Sequence, residues 1–163
     1  MRLRLNAPSD AWEMSDIHPL LASLLADLAR SASCHEDARA RLYPEPVGES
    51  DGNEDLRADW REHVEPELER FFASSREIVS GDLAALGRHG GARLVIPRRN
   101  LDAWLNVLNQ ARLIIAEQNR FQDTDLDHRR APDLTTRRGM DLLRMHFYAH
   151  LQEMLVEAGT EPA

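Results

Sequence analysis

The chain has 163 residues, 42% of them apolar and 29% charged, with a formal net charge of −8 from 28 acidic and 20 basic residues. That length and balance describe a single globular domain, residues 1–163, whose core needs no metal or disulfide to stand. The acidic surplus excludes a nucleic-acid partner as the first expectation. Every basic residue is an arginine, so chemistry that needs a lysine amine, such as a Schiff base or a P-loop phosphate clamp, has no residue to perform it.

The single Cys34 has no internal partner, which suits a reducing cytoplasm. No apolar run approaches the ~18–20 residues of a membrane span, and the first ten residues carry no secretory pattern. A soluble, cytoplasmic protein of bacterial type without a membrane partner is expected.

Taken in chain order, Arg2-Leu3-Arg4-Leu5 alternates polar and apolar and predicts a short strand near 2–5. Ser15 and Asp16 are capping candidates for a helix carrying Leu20, Leu21, Leu24, Leu25 and Leu28, with Pro19 tolerated in its first turn. Ala38 to Leu42 predicts one further short turn before Tyr43-Pro44. Residues 45–55 are acidic and rich in turn formers, which predicts a mobile loop.

From Leu56 a long helical pattern takes in Trp60, Val64, Leu68, Phe71, Phe72, Ile78, Val79, Leu83 and Leu86. Pro66 inside it removes one backbone donor and predicts a kink or break near Glu65. Gly87 to Gly91 ends the element. Arg93-Leu-Val-Ile-Pro97 predicts a second strand near 93–96, able to pair with the first as a two-stranded ribbon.

Asn100 is then placed to cap a helix from Leu101 to about Ile115. A polar loop follows, and a last helix from about Arg138 to Ala158 is closed by Gly159. The expected fold is mainly α, a small bundle of about four to five helices with that short ribbon added.

Few residues suggest chemistry. His146, His150 and Glu153 share one helix face at i, i+4 and i+7, a spacing that can bring imidazoles to a divalent metal or a small ligand. Phe147 stands where the glutamate of an HExxH site would be, and such pairs are more often the wet side of an amphipathic helix. Asp123, Asp125 and Asp127 imitate the start of a calcium loop, but His128 and Leu134 occupy positions that need glycine and glutamate.

Asn106, Asn109, Gln110 and Arg112 interrupt an apolar helix, so some of them are expected to be buried and paired. Arg112 is expected to meet a carboxylate such as Glu153 or Asp141. Adjacent Cys34 and His35 point apart on a helix, the Gly-rich run at 87–91 lacks phosphate-loop spacing, and no nucleophile elbow exists. No catalytic constellation emerges, and no cofactor is expected.

Trp104-Leu105, Leu108-Asn109 and Arg112-Leu113, followed by Leu151-Gln152-Glu153 and Leu155-Val156, resemble the bacterial family called domain of unknown function 2017. Arg41-Leu42-Tyr43-Pro44 is similar to the Arg-Leu-aromatic-Pro turn of that family. The chain departs from the pattern at Gln110, where the family implies aspartate, and around His146 to His150, where it implies aromatic residues. The resemblance implies no assigned activity. Genes of that family often neighbour the adaptor that delivers N-degron substrates to the Clp protease, which implies an accessory role with Clp adaptor or protease components as partners. Among the matched positions Asn109, Arg112 and Gln152 are the polar ones, and with Trp104 they are expected to form a structural or interaction network joining the last two helices.

Overall fold

The computed structural model describes residues 1–6, 10–33, 36–44, 54–86, 93–122, 124–125 and 131–160. Among them the fold is mainly α with a small antiparallel sheet. Strand β1 (Arg2–Asn6) pairs with β2 (Ala11–Ser15), and β2 pairs with β3 (Leu94–Pro97). The ribbon of two strands is therefore corrected to three: β2 lies between the two expected strands, which never touch. Leu3 faces Met14 on one side of β2 and Met14 faces Leu94 on the other. Burial of Trp12, Met14, Leu94 and Ile96 glues this sheet to the helices.

Helix α1 (Pro19–Ala26) is capped by His18, whose Nδ1 accepts from the Leu20 amide at 3.2 Å, rather than by Ser15 or Asp16. Ser15 ends β2, and Asp16 sits at a positive φ of 55° in the turn that follows. Short α2 (Leu28–Ser31) and α3 (Arg39–Leu42) lead to Tyr43, which is buried against Leu42 and Ile114. The acidic loop expected at 45–55 lies outside the described residues up to 53, and Glu54 and Asp55 already open a helix.

That helix is α4 (Glu54–Asp59), and it continues through a π-helical turn (Trp60–Val64) into α5 (Glu65–Leu83). The kink or break expected near Glu65 takes the form of this π turn, after which a new α-helical segment starts at Glu65 with Pro66 in its first turn. A π turn takes in one extra residue and lets the proline, which has no N–H to donate, join without a rupture.

Helix α6 (Leu101–Asn119) and α7 (Arg137–Thr160) form the centre of the domain. Asn100 is the residue before α6, but its side chain makes no capping bond. Instead its Nδ2 donates to both carboxylate oxygens of Asp82 at 3.1 and 3.0 Å. Arg120 ends α6 in the left-handed region at φ 50°, with its own amide and that of Phe121 returning to Glu117 and Ala116. Gly159 lies inside α7 against Leu101 rather than beyond its end. Gly139 in the first turn of α7 is required: a Cβ there would stand 1.9 Å from the Asp133 carbonyl oxygen.

One contiguous core joins sheet and helices through Trp12, Leu25, Leu28, Trp104, Leu108, Tyr148, Leu151 and Leu155. Tyr148 is fully buried in it, donating its hydroxyl to the Leu24 carbonyl at 2.7 Å. Burial above all pushes its phenol up to about 12, and neighbouring Asp27 adds to this while a Ser31 hydrogen bond, Arg144 and Arg30 oppose it.

Candidate functional site

The residues expected to form one polar network are divided by the structure among three places. Arg112 projects from α6 to α7, where its Nη1 donates to Gln152 Oε1 at 2.7 Å. The carboxylate expected opposite Arg112 is thus replaced by an amide. Asp141 is taken by Arg144, whose Nη1 lies 2.5 Å from Oδ1, and by Asn119 at 3.3 Å. Arg112 Nε is buried with no hydrogen-bond partner among the described residues.

Trp104 belongs to a second place. Its indole is fully buried and Nε1 donates to Asp82 Oδ2 at 2.9 Å, so Asp82 at the end of α5 ties together Trp104 and Asn100. Asn109 faces water on α6 and joins neither group. The buried amide is instead its neighbour Gln110, only 2% exposed. Gln110 Oε1 accepts from Arg76 Nη1 of α5 at 3.0 Å, while Gln110 Nε2 is buried without a hydrogen-bond partner among the described residues. Helical spacing carried the signal that separates them: Gln110 lies three residues after Val107 and four before Ile114, on the buried face, and Asn109 lies 100° away from it.

The histidine face does contribute to a surface feature. His146, Ala149, His150, Gln152, Glu153, Val156 and Glu157 of α7, with Arg112 of α6, line an open groove of about 770 Å³. His150 Nδ1 stands 3.8 Å from Glu153 Oε2. The described residues contain no group of three or more His, Cys, Asp or Glu side chains placed to hold a metal ion. His146, His150 and Glu153 span about 10 Å along the helix axis, so a metal held there would need ligands from another element.

A second exposed feature is apolar and runs along the continuous helix of α4, the π turn and α5. Leu56, Val64, Phe71 and Ile78 are 51, 38, 51 and 39% exposed along α4, the π turn and α5. Val64, Phe71 and Ile78 recur every seven residues, which keeps them on one stripe. Leu56 is eight residues before Val64, and the extra residue of the π turn brings it back into line. The core side of α5 is served separately by Ser75, Val79 and Leu83. The calcium-like aspartates 123 and 127, the Cys34-His35 pair and the Gly87 to Gly91 run lie outside the described residues.

A family model described as a domain of unknown function (DUF2017) matches residues 6–159. The chain belongs to that family. No curated protein and no solved structure matches it. Membership covers both the α6–α7 pair and the long helix, so the groove and the apolar stripe are both features of the DUF2017 domain of this chain. No helix among the described residues is long and apolar enough to cross a membrane.

Proposed function

We propose that this DUF2017 protein is a non-enzymatic accessory domain that works through protein contacts in the bacterial cytoplasm, linked to Clp adaptor-dependent proteolysis. The observation that carries the reading is the exposed apolar stripe of Leu56, Val64, Phe71 and Ile78. Isolated apolar residues on a surface mean little, but four aligned along one helix expose a face whose burial a partner can exploit. The link to Clp rests on the gene neighbourhood that the family implies, and the acidic charge of −8 directs the search to proteins rather than nucleic acids.

The test is direct binding of the purified protein to purified Clp adaptor and protease, with Phe71→Glu as the folded control. Saturable binding that weakens in the variant is expected. Absence of binding to every Clp component, with the protein folded, would overturn the Clp link.

The groove favours a second reading, a small-ligand-binding protein. Its wall combines the Arg112 guanidinium, two imidazoles and two carboxylates with the apolar Ala149 and Val156, a mixture suited to a zwitterionic small molecule. Thermal-shift screening with amino acids and related zwitterions tests it, with loss of any shift in Arg112→Ala as the expected control result.

A further inference from the structure

We propose that the outer face of α5 docks a second copy of this chain, with the two helices antiparallel about a twofold axis between Phe71 and Ser74. This deepens the protein-contact reading, on which it rests, by naming the occupant of the stripe.

The face is built as a seam. Val64, Phe71 and Ile78 supply its large apolar positions, and three residues further on each time stand Glu67, Ser74 and Gly81, all exposed. Two of those three are small. Gly81 serves no packing need within the monomer, because a Cβ added there would meet nothing within 4 Å. Gly81 stands in the last turn of α5, where a glycine costs less than the ~1 kcal/mol of a mid-helix position, and the open surface beside it admits a close external neighbour.

An antiparallel copy supplies one. In that arrangement each large position of one helix faces one of the positions 67, 74 and 81 of the other, in reversed order. Phe71 then lies over Ser74 of the second copy and Val64 over Gly81 of the second copy. Ile78 lies along the methylenes of Glu67 of the second copy, whose carboxylate stays at the water boundary. Twofold symmetry makes each contact twice, as a self-complementary patch requires.

Charge agrees with the same register. Arg70 and Glu77 flank the seam on its outer edge, and neither forms an ion pair among the described residues. Equivalent flanking positions face each other in antiparallel pairs, so Arg70 meets Glu77 of the second copy and Glu77 meets its Arg70. A parallel copy would set Phe71 against Phe71 and turn Arg70 toward the Ser75 edge of its partner, with no Arg70–Glu77 pairing.

Sedimentation equilibrium of the full chain, from low micromolar to several hundred micromolar, tests the proposal. A concentration-dependent dimer is expected, weakened about a hundredfold or more by Phe71→Glu. Arg70→Glu and Glu77→Arg should each weaken it about fivefold, and the two together should restore it. In a Cys34→Ala background, Val64→Cys with Gly81→Cys should form an intermolecular disulfide on mild oxidation, while Val64→Cys alone should not. Circular dichroism confirms that each variant is folded.

A monomer at every concentration, a dimer indifferent to Phe71→Glu, or a disulfide formed by Val64→Cys alone would overturn it. Adventitious burial of the stripe by a Clp component is separable: a monomeric wild type that binds the purified adaptor through Phe71 sinks self-association and leaves the interaction reading standing.

Discussion

Helices α5 and α6 are both nineteen residues long, yet α6 buries eight side chains and α5 only three. The difference follows from position. Helix α6 is enclosed by α7, α5, α2 and the short turns before it, so it spends its apolar residues on the core. Helix α5 touches the rest of the domain along one narrow line and carries a second apolar line that the core never reaches. The contrast separates what holds the domain together from what the domain offers to others.

The comparison breaks most severely at Trp104. Trp104→Ala removes a fully buried indole and leaves Asp82 without one of its donors. A loss of about 4 kcal/mol in chemical denaturation is expected, and a loss below about 1 kcal/mol would show that α6 is not the organising element.

The next effect is alkaline. Tyr148 has a folded-state pKa of about 12, above its ordinary value of 10.0. The native state therefore holds the neutral phenol more strongly than the unfolded chain does. That stabilisation is complete below pH 10 and is lost as pH rises from about 10 through 12, by up to about 2–3 kcal/mol. Urea midpoints measured across this range should fall for the wild type and less steeply for Tyr148→Phe; parallel curves would contradict the burial of Tyr148.

A smaller change sharpens the contact between the two helices. Gln110→Glu replaces the unpartnered buried amide nitrogen with a carboxylate oxygen facing Arg76. A gain of about 1 kcal/mol near neutral pH is expected from a charge-assisted bond in place of a neutral one. Destabilisation would mean that desolvating the carboxylate outweighs the new pair.

The smallest effect belongs to the stripe. Phe71→Glu should alter the stability of dilute, monomeric protein by no more than about 0.5 kcal/mol, as for other surface positions. A much larger loss in thermal or chemical unfolding would place Phe71 in the monomer's own core.

The two regions were not equally legible in the sequence. The apolar spacing of α6 and α7 identified both helices, and Arg112 was correctly read as reaching a polar group across them. The resemblance put Gln152 in one network with Arg112, and that pair forms; the carboxylate expected from spacing does not, because spacing leaves the rotation and offset of α7 open. Strand β2 carried a signal in Ala11-Trp12-Glu13-Met14-Ser15, where Trp12 and Met14 share one face, but adjacent Ala11 and Trp12, both apolar and both buried, blur the alternation that marked Arg2 to Leu5.

On α5 the apolar residues were read as a single set. They divide into an inner line through Leu68, Phe72 and Val79 and an outer line through Val64, Phe71 and Ile78. A helix in a two-layer contact can bury only one of these. That excess of apolar positions is the sequence signal of the proposed docking face. The roles of Asp82 and Arg76 had no such signal, because each depends on where α5 meets α6.

Hydroxyl-radical footprinting at increasing protein concentration reads the central contrast side chain by side chain. Phe71 should oxidise readily in dilute protein and become protected as concentration rises, while Trp104 and Tyr148 stay protected throughout. A Phe71 as protected as Trp104 at the greatest dilution, or equally reactive at every concentration, would contradict the account.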